Sequence, residues 1–327
     1  VVLCSVVYPL ALWAVGQTLF PNQANGSLIY DKDGKPVGSR LIAQEFKNDE
    51  YFQPRPSAAG YNGAASGASN YGANNYALRD RVARSVAGLT TYKSGPNKDQ
   101  PVAPDVVKWF RAQPSAAASW AKDHSGLAQG FIKSEDVLKD YVKDWFDKHP
   151  ADLAAWKKEN KNDDPKPEDL TVAFFEGFAK EHAGTWLTVE ETKEKDKDDK
   201  AIKRVKLVQK QDEDSADIAS VFFDTWRAQN ADVELTAVPA DLVMASASGL
   251  DPHITLEGAL FQLDRVAGKW AELTKGDKEK ISAEIERVLR TQKFAPLAGL
   301  AGVDMVNVLE VNVVLKDRYG PKVVAAK

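Results

Sequence analysis

Cysteine is almost absent. Of 327 residues only Cys4 is one, and it lies in an apolar start, so the rest of the chain can build neither a disulfide framework nor a thiolate metal site. Histidine is scarce as well. His124, His149, His182 and His253 have no second ligand at the helical spacing a metal site uses, so no resident metal is expected. An excess of one charge is also missing. With 43 basic and 47 acidic residues the formal net charge is -4, too small to draw the chain onto nucleic acid or an anionic membrane surface. Three chemical signatures are missing too: a G-x-S-x-G elbow, a phosphate loop with its lysine, and a D-K-T-G phosphorylation motif. The chain is therefore not expected to be an ion-pumping ATPase by itself.

No charged residue occurs from Val1 to Tyr30, and Val1 to Val15 is apolar apart from Ser5 and Pro9. Running on to Phe20, this stretch offers about 20 residues, or roughly 30 Å of helix, and predicts a single N-terminal transmembrane helix over residues 1–20. A cleaved signal peptide would need a shorter apolar run and a small-x-small site after it, whereas Gly16-Gln17-Thr18-Leu19-Phe20-Pro21 follows. The sequence begins without Met, so a further flank is expected and charge gives no orientation. At 100° per residue Ser5, Pro9, Leu12 and Gly16 share an arc of roughly 60°, the pattern of a close helix contact in a membrane.

After the apolar start, Ser27 to Tyr30 and Val37 to Ile42 flank Asp31-Lys32-Asp33-Gly34-Lys35, a hairpin signal. Ser57 to Asn75 is crowded with Ala, Gly, Ser and Asn and reads as an irregular loop before a helix over Leu78 to Leu89. From 99 to 231 the character changes, with six of the eight tryptophans and many charges. Trp109-Phe110, Pro114 and Trp120 recur as Trp145-Phe146, Pro150 and Trp156, a spacing that predicts duplicated helical hairpins of about 36 residues. Fainter echoes occur at Phe178 to His182 and Trp226 to Asn230. Glu190 to Asp217 holds 18 charged residues in 28 and reads as a solvated helix or linker. Leu256 to Trp270 has helical spacing behind a capping Thr255, Ile281 to Leu289 a second helix, and the alternation of Leu309, Val311, Val313 and Leu315 reads as a strand from Val306 to Leu315. The expected fold is α+β: the transmembrane helix, then a mixed extracytoplasmic domain formed by 21–98 and 232–327, interrupted by a helical, Trp-rich insertion at 99–231.

Chemistry is concentrated in Val238 to Ile254, where Asp241, Ser246, Ser248, Gly249, Asp251, Pro252 and His253 crowd before the capped helix. A hydrolase using Ser248 or His253 is conceivable, but Asp251 and His253 flank a proline, the mark of a fixed turn. Ser66, Gly67, Ser69 and Asn70 could cradle a phosphate through backbone N–H groups, or pack closely on a neighbour.

Taken in order, these segments resemble the KdpC family, the C subunit of the bacterial KdpFABC potassium-transporting P-type ATPase. The resemblance rests on Tyr8-Pro9, Leu19-Phe20-Pro21, Ala24 to Ser27, Val37 to Ser39, Tyr51-Phe52, Arg55-Pro56-Ser57-Ala58, Tyr61-Asn62, Ser66-Gly67, Ser69-Asn70, Val238 to Ile254, Gln262, Arg265 to Ala267, and Val306 to Asn312 with Asn307. Met244, Ala68, Ala247, Tyr76 and Met305 depart from the usual pattern, and the block at 99–231 has no counterpart. The resemblance implies a non-catalytic subunit in the bacterial inner membrane beside KdpA-like and KdpB-like subunits and a small KdpF-like one, with its soluble body on the outer side. It also implies a promoting effect on ATP binding in which Ser66 or Gln262 takes part, although a body outside the membrane could not touch cytosolic ATP. A membrane-anchored interaction protein is the other reading the sequence leaves open.

Overall fold

The structure is a computed structural model describing residues 1–72, 75–195, 201–208, 215–300 and 302–320. A π-helical turn at Leu3–Val7 leads into α1 (Tyr8–Leu19) and α2 (Pro21–Ala24), followed by β1 (Leu28–Tyr30) and β2 (Pro36–Ser39). Next come α3 (Tyr76–Leu89), α4 (Ala103–Ala112), α5 (Ala116–Asp123), α6 (Ser125–Lys133), α7 (Asp136–Lys148), α8 (Pro150–Asn160) and α9 (Thr171–Glu181). The strands β3 (Trp186–Lys195) and β4 (Ala201–Val208) precede α10 (Ser215–Gln229), β5 (His253–Thr255), α11 (Leu256–Thr274), α12 (Lys278–Gln292), β6 (Met305–Asn307) and α13 (Val308–Tyr319). The chain divides into two compact units, Val1–Asn70 with Val238–Lys327, and Tyr71–Ala237.

The transmembrane expectation is overturned: among the described residues no helix is long and apolar enough to cross a membrane. The apolar run is divided. Pro9 has no N–H to give the Ser5 carbonyl, and the helix is π-wound before it and α-wound after it. Phe20 then leaves helical geometry at φ -136, and Pro21 starts a separate short helix. The twelve residues of α1 reach only about 18 Å at 1.5 Å per residue. The constant 100° that placed Ser5 on one face with Pro9, Leu12 and Gly16 does not hold across the π turn.

In the first unit β1 and β2 form the antiparallel hairpin around Asp31, whose Oδ1 accepts from the N–H groups of Asp33 and Lys35 at 3.0 and 2.9 Å. Thr255 caps α11 by accepting from the Gly258 N–H at 2.9 Å, and Asp277 caps α12 by accepting from Lys280 at 2.9 Å. The left-handed Lys275, φ 54, closes α11 between them. Ile254, Val266, Trp270, Ile285, Leu289 and Leu315 form the core. The strand expected over Val306 to Leu315 is corrected: pairing stops at Asn307, whose Oδ1 accepts from the Glu310 N–H at 3.2 Å and starts α13. Val308, Leu309, Val311, Asn312 and Leu315 are the buried face, a 3.6-residue period that the alternation concealed.

The second unit is held by aromatic packing around Trp186, which is fully buried. Its ring lies parallel to Phe175 at 5.4 Å and edge-on to Trp120 at 5.4 Å and Phe222 at 4.9 Å. The duplicated segments fold as α4–α5 and α7–α8. Phe110 and Phe146 are buried in both, whereas Trp120 is buried and Trp156 only half-buried. Each of His124, His149 and His182 ends a helix four residues after an aromatic ring, at φ -125, -124 and -126. The charged stretch read as a solvated helix or linker is instead largely an antiparallel hairpin of β3 and β4, with residues 196–200 and 209–214 outside the described residues. Glu190 faces Arg204 and Glu191 faces Lys203 in register, and Arg204 pairs with Glu194 at 2.7 Å, so opposite charges across the ladder stabilise a sequence with few apolar residues.

Gly177 on α9 tests this packing. A Cβ there would lie 2.3 Å from Trp145 Cη2, whereas at Gly130 on α6 it would meet nothing within 4 Å. Gly177→Ala is expected to lower stability by about 1–3 kcal/mol in denaturant titrations, and Gly130→Ala to raise it by up to about 1 kcal/mol.

Candidate functional site

The first unit assembles its sequence motifs around an extended stretch, Tyr51 to Pro54, that belongs to no sheet. Its backbone groups bond to two buried carboxamides instead. Asn312 Oδ1 accepts from the Phe52 N–H at 2.9 Å, and its Nδ2 donates to the Phe52 carbonyl at 2.9 Å. Gln262 repeats the arrangement one residue on, accepting from the Gln53 N–H at 2.8 Å and donating to its carbonyl at 3.1 Å. Successive residues of an extended chain present their backbone groups to opposite sides, so α13 and α11 grip adjacent residues from two directions. Asn312 is 2% exposed and Phe52 1%, so losing that contact strands backbone groups away from water, whereas Gln53 is an exposed residue gripped by the buried Gln262. Arg265 braces the grip, donating to Gln262 Oε1 at 2.8 Å and to the carbonyls of Asp49 and Tyr51 at 2.7 and 3.1 Å.

Beyond Pro54, the Arg55 guanidinium lies 3.7 Å from Asp251 and 4.0 Å from Asp241. Asp241 Oδ2 accepts from the Thr255 N–H at 2.8 Å, which ties this charge pair to the start of α11. Asp251 Oδ1 accepts from the backbone N–H of His253 at 3.1 Å and faces its Nδ1 at 3.0 Å. The hydrogen bond from His253 leads in holding the Asp251 carboxyl below its ordinary pKa; burial opposes it, and the His253 N–H and the Arg55 charge add to it. With Nδ1–H directed at Asp251, His253 Nε2 is an acceptor and faces the Asn307 amide nitrogen at 3.4 Å. Asn307 Nδ2 also donates to the Arg40 carbonyl at 2.8 Å, and the Pro252 carbonyl accepts from Val308, so turn, hairpin and α13 meet here.

The small-residue loop closes the other side. Ser57 Oγ donates to the Gly249 carbonyl and accepts from the N–H groups of Ala59 and Tyr61 at 3.2 and 3.0 Å. Ser66 Oγ donates to the Ser248 carbonyl at 3.0 Å, and the Gly67 N–H donates to the same oxygen at 2.9 Å. Gly249 sits at φ +69, where a Cβ would be 2.7 Å from the Gly67 carbonyl oxygen, so glycine is required for both conformation and space. Ser246 is buried, with its N–H on the Pro56 carbonyl. Ser69 is half-buried, and Asn70 takes the left-handed φ 51.

Of the residues singled out, Arg55, Asp241, Asp251, Pro252, His253 and Asn307 converge on one corner. Ser57, Ser66, Gly67, Ser248 and Gly249 form the adjoining loop contact, and Gln262, Arg265 and Asn312 form the grip. Ser5, Pro9, Leu12 and Gly16 lie in the exposed N-terminal segment instead. Ser248 Oγ accepts from the Leu250 N–H at 3.1 Å, and His253 Nε2 faces an amide nitrogen, so no nucleophile–base hydrogen bond joins them. Among the described residues no group of three or more His, Cys, Asp or Glu could hold a metal ion. A cleft of about 300 Å³ in the second unit is lined by Pro114, Ala118, Ala179 and Ala183 with Glu176 and Lys180. Phe52 and Gln53, the gripped residues, carry no local sequence signal, because their partners lie 260 and 209 positions away.

The family model described as "KdpC: K+-transporting ATPase, c chain" matches residues 1–109 and 198–317, and the chain belongs to that family. A potassium-transporting ATPase KdpC subunit of Pseudomonas syringae pv. tomato is 43% identical over 123 residues, 34% of this chain and 65% of that protein. Subunits of the same description from Pseudomonas putida GB-1 and Caulobacter vibrioides are 50% and 52% identical over 29% of this chain, covering 51% and 49% of their own lengths. The matched part thus spans about half to two thirds of these relatives, and this chain is longer than they are, consistent with an insertion.

Asn312→Ala leaves the Phe52 N–H and carbonyl buried without partners and is expected to cost about 2–4 kcal/mol in chemical denaturation. The exposed Asn48→Ala should fall within about 0.5 kcal/mol of the parent. The Asp251 pKa is lower folded than unfolded, so its stabilisation is complete above the unfolded value of about 3.9 and is lost as pH falls through the folded one. Asp251→Asn should flatten the acid limb of the stability curve below about pH 4; an unchanged limb would remove Asp251 from the account.

Proposed function

We propose that this KdpC-family chain is a non-catalytic subunit of a membrane-associated, ATP-driven potassium uptake complex, and that it acts by assembling or stabilising that complex. The observation that carries this reading is how the family-motif side chains are used. Gln262 and Asn312 are committed to the chain's own backbone, His253 to Asp251 and Asn307, and Ser66 to Ser248, an arrangement that fixes a surface instead of presenting reactive groups to a substrate. The same commitments speak against direct ATP contact through Ser66 or Gln262. A promoting effect on ATP binding would then be exerted through the ATP-hydrolysing partner, which agrees with a body facing away from the nucleotide.

Val1 to Phe20 supplies a second contact. Leu3, Val7, Leu10, Leu12, Trp13 and Leu19 are all exposed there, a contiguous apolar surface larger than an isolated chain ordinarily leaves in water. We assign it to contact with the large subunits of the complex. Residues 99–231 lie within the second unit, whose core is separate from that of the first. We read this block as a module not needed for assembly itself.

Affinity purification of the full chain from membranes, with partners identified by mass spectrometry, tests the reading. The channel-like and ATP-hydrolysing subunits are expected to co-purify, and deletion of residues 1–20 should reduce their recovery severalfold. Replacing residues 99–231 with a short Gly/Ser linker should preserve both co-purification and potassium-limited growth. A chain that purifies without these subunits, or that turns over ester, peptide or ATP in isolation and loses this with Ser248→Ala or His253→Ala, would overturn the assignment.

A further inference from the structure

His149 ends α7 and is the residue from which α8 starts. Both of its ring nitrogens face acceptors: Nδ1 lies 2.7 Å from the Trp145 carbonyl oxygen and Nε2 lies 2.6 Å from Glu181 Oε1. A neutral imidazole has one N–H and one lone pair, so either neutral tautomer sets a lone pair against an oxygen. The imidazolium satisfies both. The ring is also stacked on the Trp145 indole, with centroids 3.9 Å apart and planes 18° from parallel, where the indole face favours a cation. Glu181 Oε2 accepts from the Trp145 indole N–H at 3.3 Å, so one carboxylate from α9 binds both members of the stack.

We infer that His149 is a proton-operated latch: as the imidazolium it pins the α7–α8 corner to the end of α9, and loss of its proton releases α8. The charged groups that face it are Glu181 from α9 and Asp152 from the first turn of α8, while α7 contributes the Trp145 carbonyl and indole. The His149 pKa is raised, first by the Trp145 carbonyl, against some loss from burial, and then by the hydrogen bond and charge of Glu181 and the charge of Asp152. The helix that would move is loosely held. No residue of α8 is buried, and its hold on the core is through the half-buried Leu153 and Trp156. The corner between α5 and α6, where His124 also follows an aromatic ring by four residues, behaves oppositely: burial and then the charge of Arg79 lower the His124 pKa against the charges of Asp224 and Asp123.

Because the folded pKa is the higher one, the latch contributes its full stabilisation below the unfolded value of about 6.5 and loses it as pH rises through the folded value. Hydrogen–deuterium exchange of the full chain at pH 6 and pH 8.5, with labelling times scaled for intrinsic rates, reads this out. Peptides covering residues 146–160 should exchange severalfold faster at the higher pH, and those covering α12 should not change. Glu181→Gln should move the transition to lower pH. His149→Gln should leave α8 equally unprotected at both values while α5 and α9 keep their protection. Wild-type α8 with the same protection at both values, or a His149→Gln chain with the wild-type pH response, would overturn the latch. So would an NMR titration in which the His149 ring titrates no higher than that of His124.

Discussion

An extended segment without a neighbouring strand must find other partners for its backbone groups, and here it finds them in two side chains. Asn312 and Gln262 each offer a carbonyl oxygen and an amide N–H₂ in the spacing of a peptide group, and together they replace the missing ladder along Phe52 and Gln53. Much of the first unit depends on this substitution. It holds Phe52 in the core beneath α11 and α13, and it delivers Arg55 between Asp241 and Asp251. From there the network runs through His253 and Asn307 to the cap of α13, and through Ser57 and Gly249 to the small-residue loop. Residues that resemble catalytic equipment in the sequence are the joints of this framework.

The second unit is held in a different way. Its order comes from aromatic packing on Trp186, with Phe175 stacked and Trp120 and Phe222 edge-on. Small residues along α5, Ala116, Ala117 and Ala121, are buried with Trp120. Polar groups play their part at helix ends, where a histidine four residues beyond an aromatic ring turns the chain. At His149 that structural turn also holds a proton, so a packing device has an ionisable group at its hinge.

What the sequence conveys is what local pattern can carry. The Asp31 turn, the Thr255 cap and the apolar faces of α11 and α12 are written within a few residues, and the structure has them there. The apolar start misled because hydropathy registers composition, while the π turn at Leu3–Val7 and the break at Phe20-Pro21 decide how far the regular α-helix runs. Val306 to Leu315 misled because its residues satisfy periods of two and 3.6 at once. Asn307 followed by Glu310, a capping signal, was the clue that separates them. The charged hairpin was hidden because its charges pair across the ladder, as Glu194 does with Arg204, and a single strand does not reveal this. The grip was out of reach for a related reason, since no local window contains both Phe52 and Asn312.

Two buried carboxamides do the work of a sheet for Phe52 and Gln53. Amide hydrogen exchange at these two residues, resolved by NMR in the full chain, addresses it directly. Both amides are expected to exchange only when the first unit unfolds globally, with protection equal to that of Ile285 in the core of α12. Exchange at the rate of an exposed loop amide such as Ala64, with Asn312 and Gln262 intact, would contradict it.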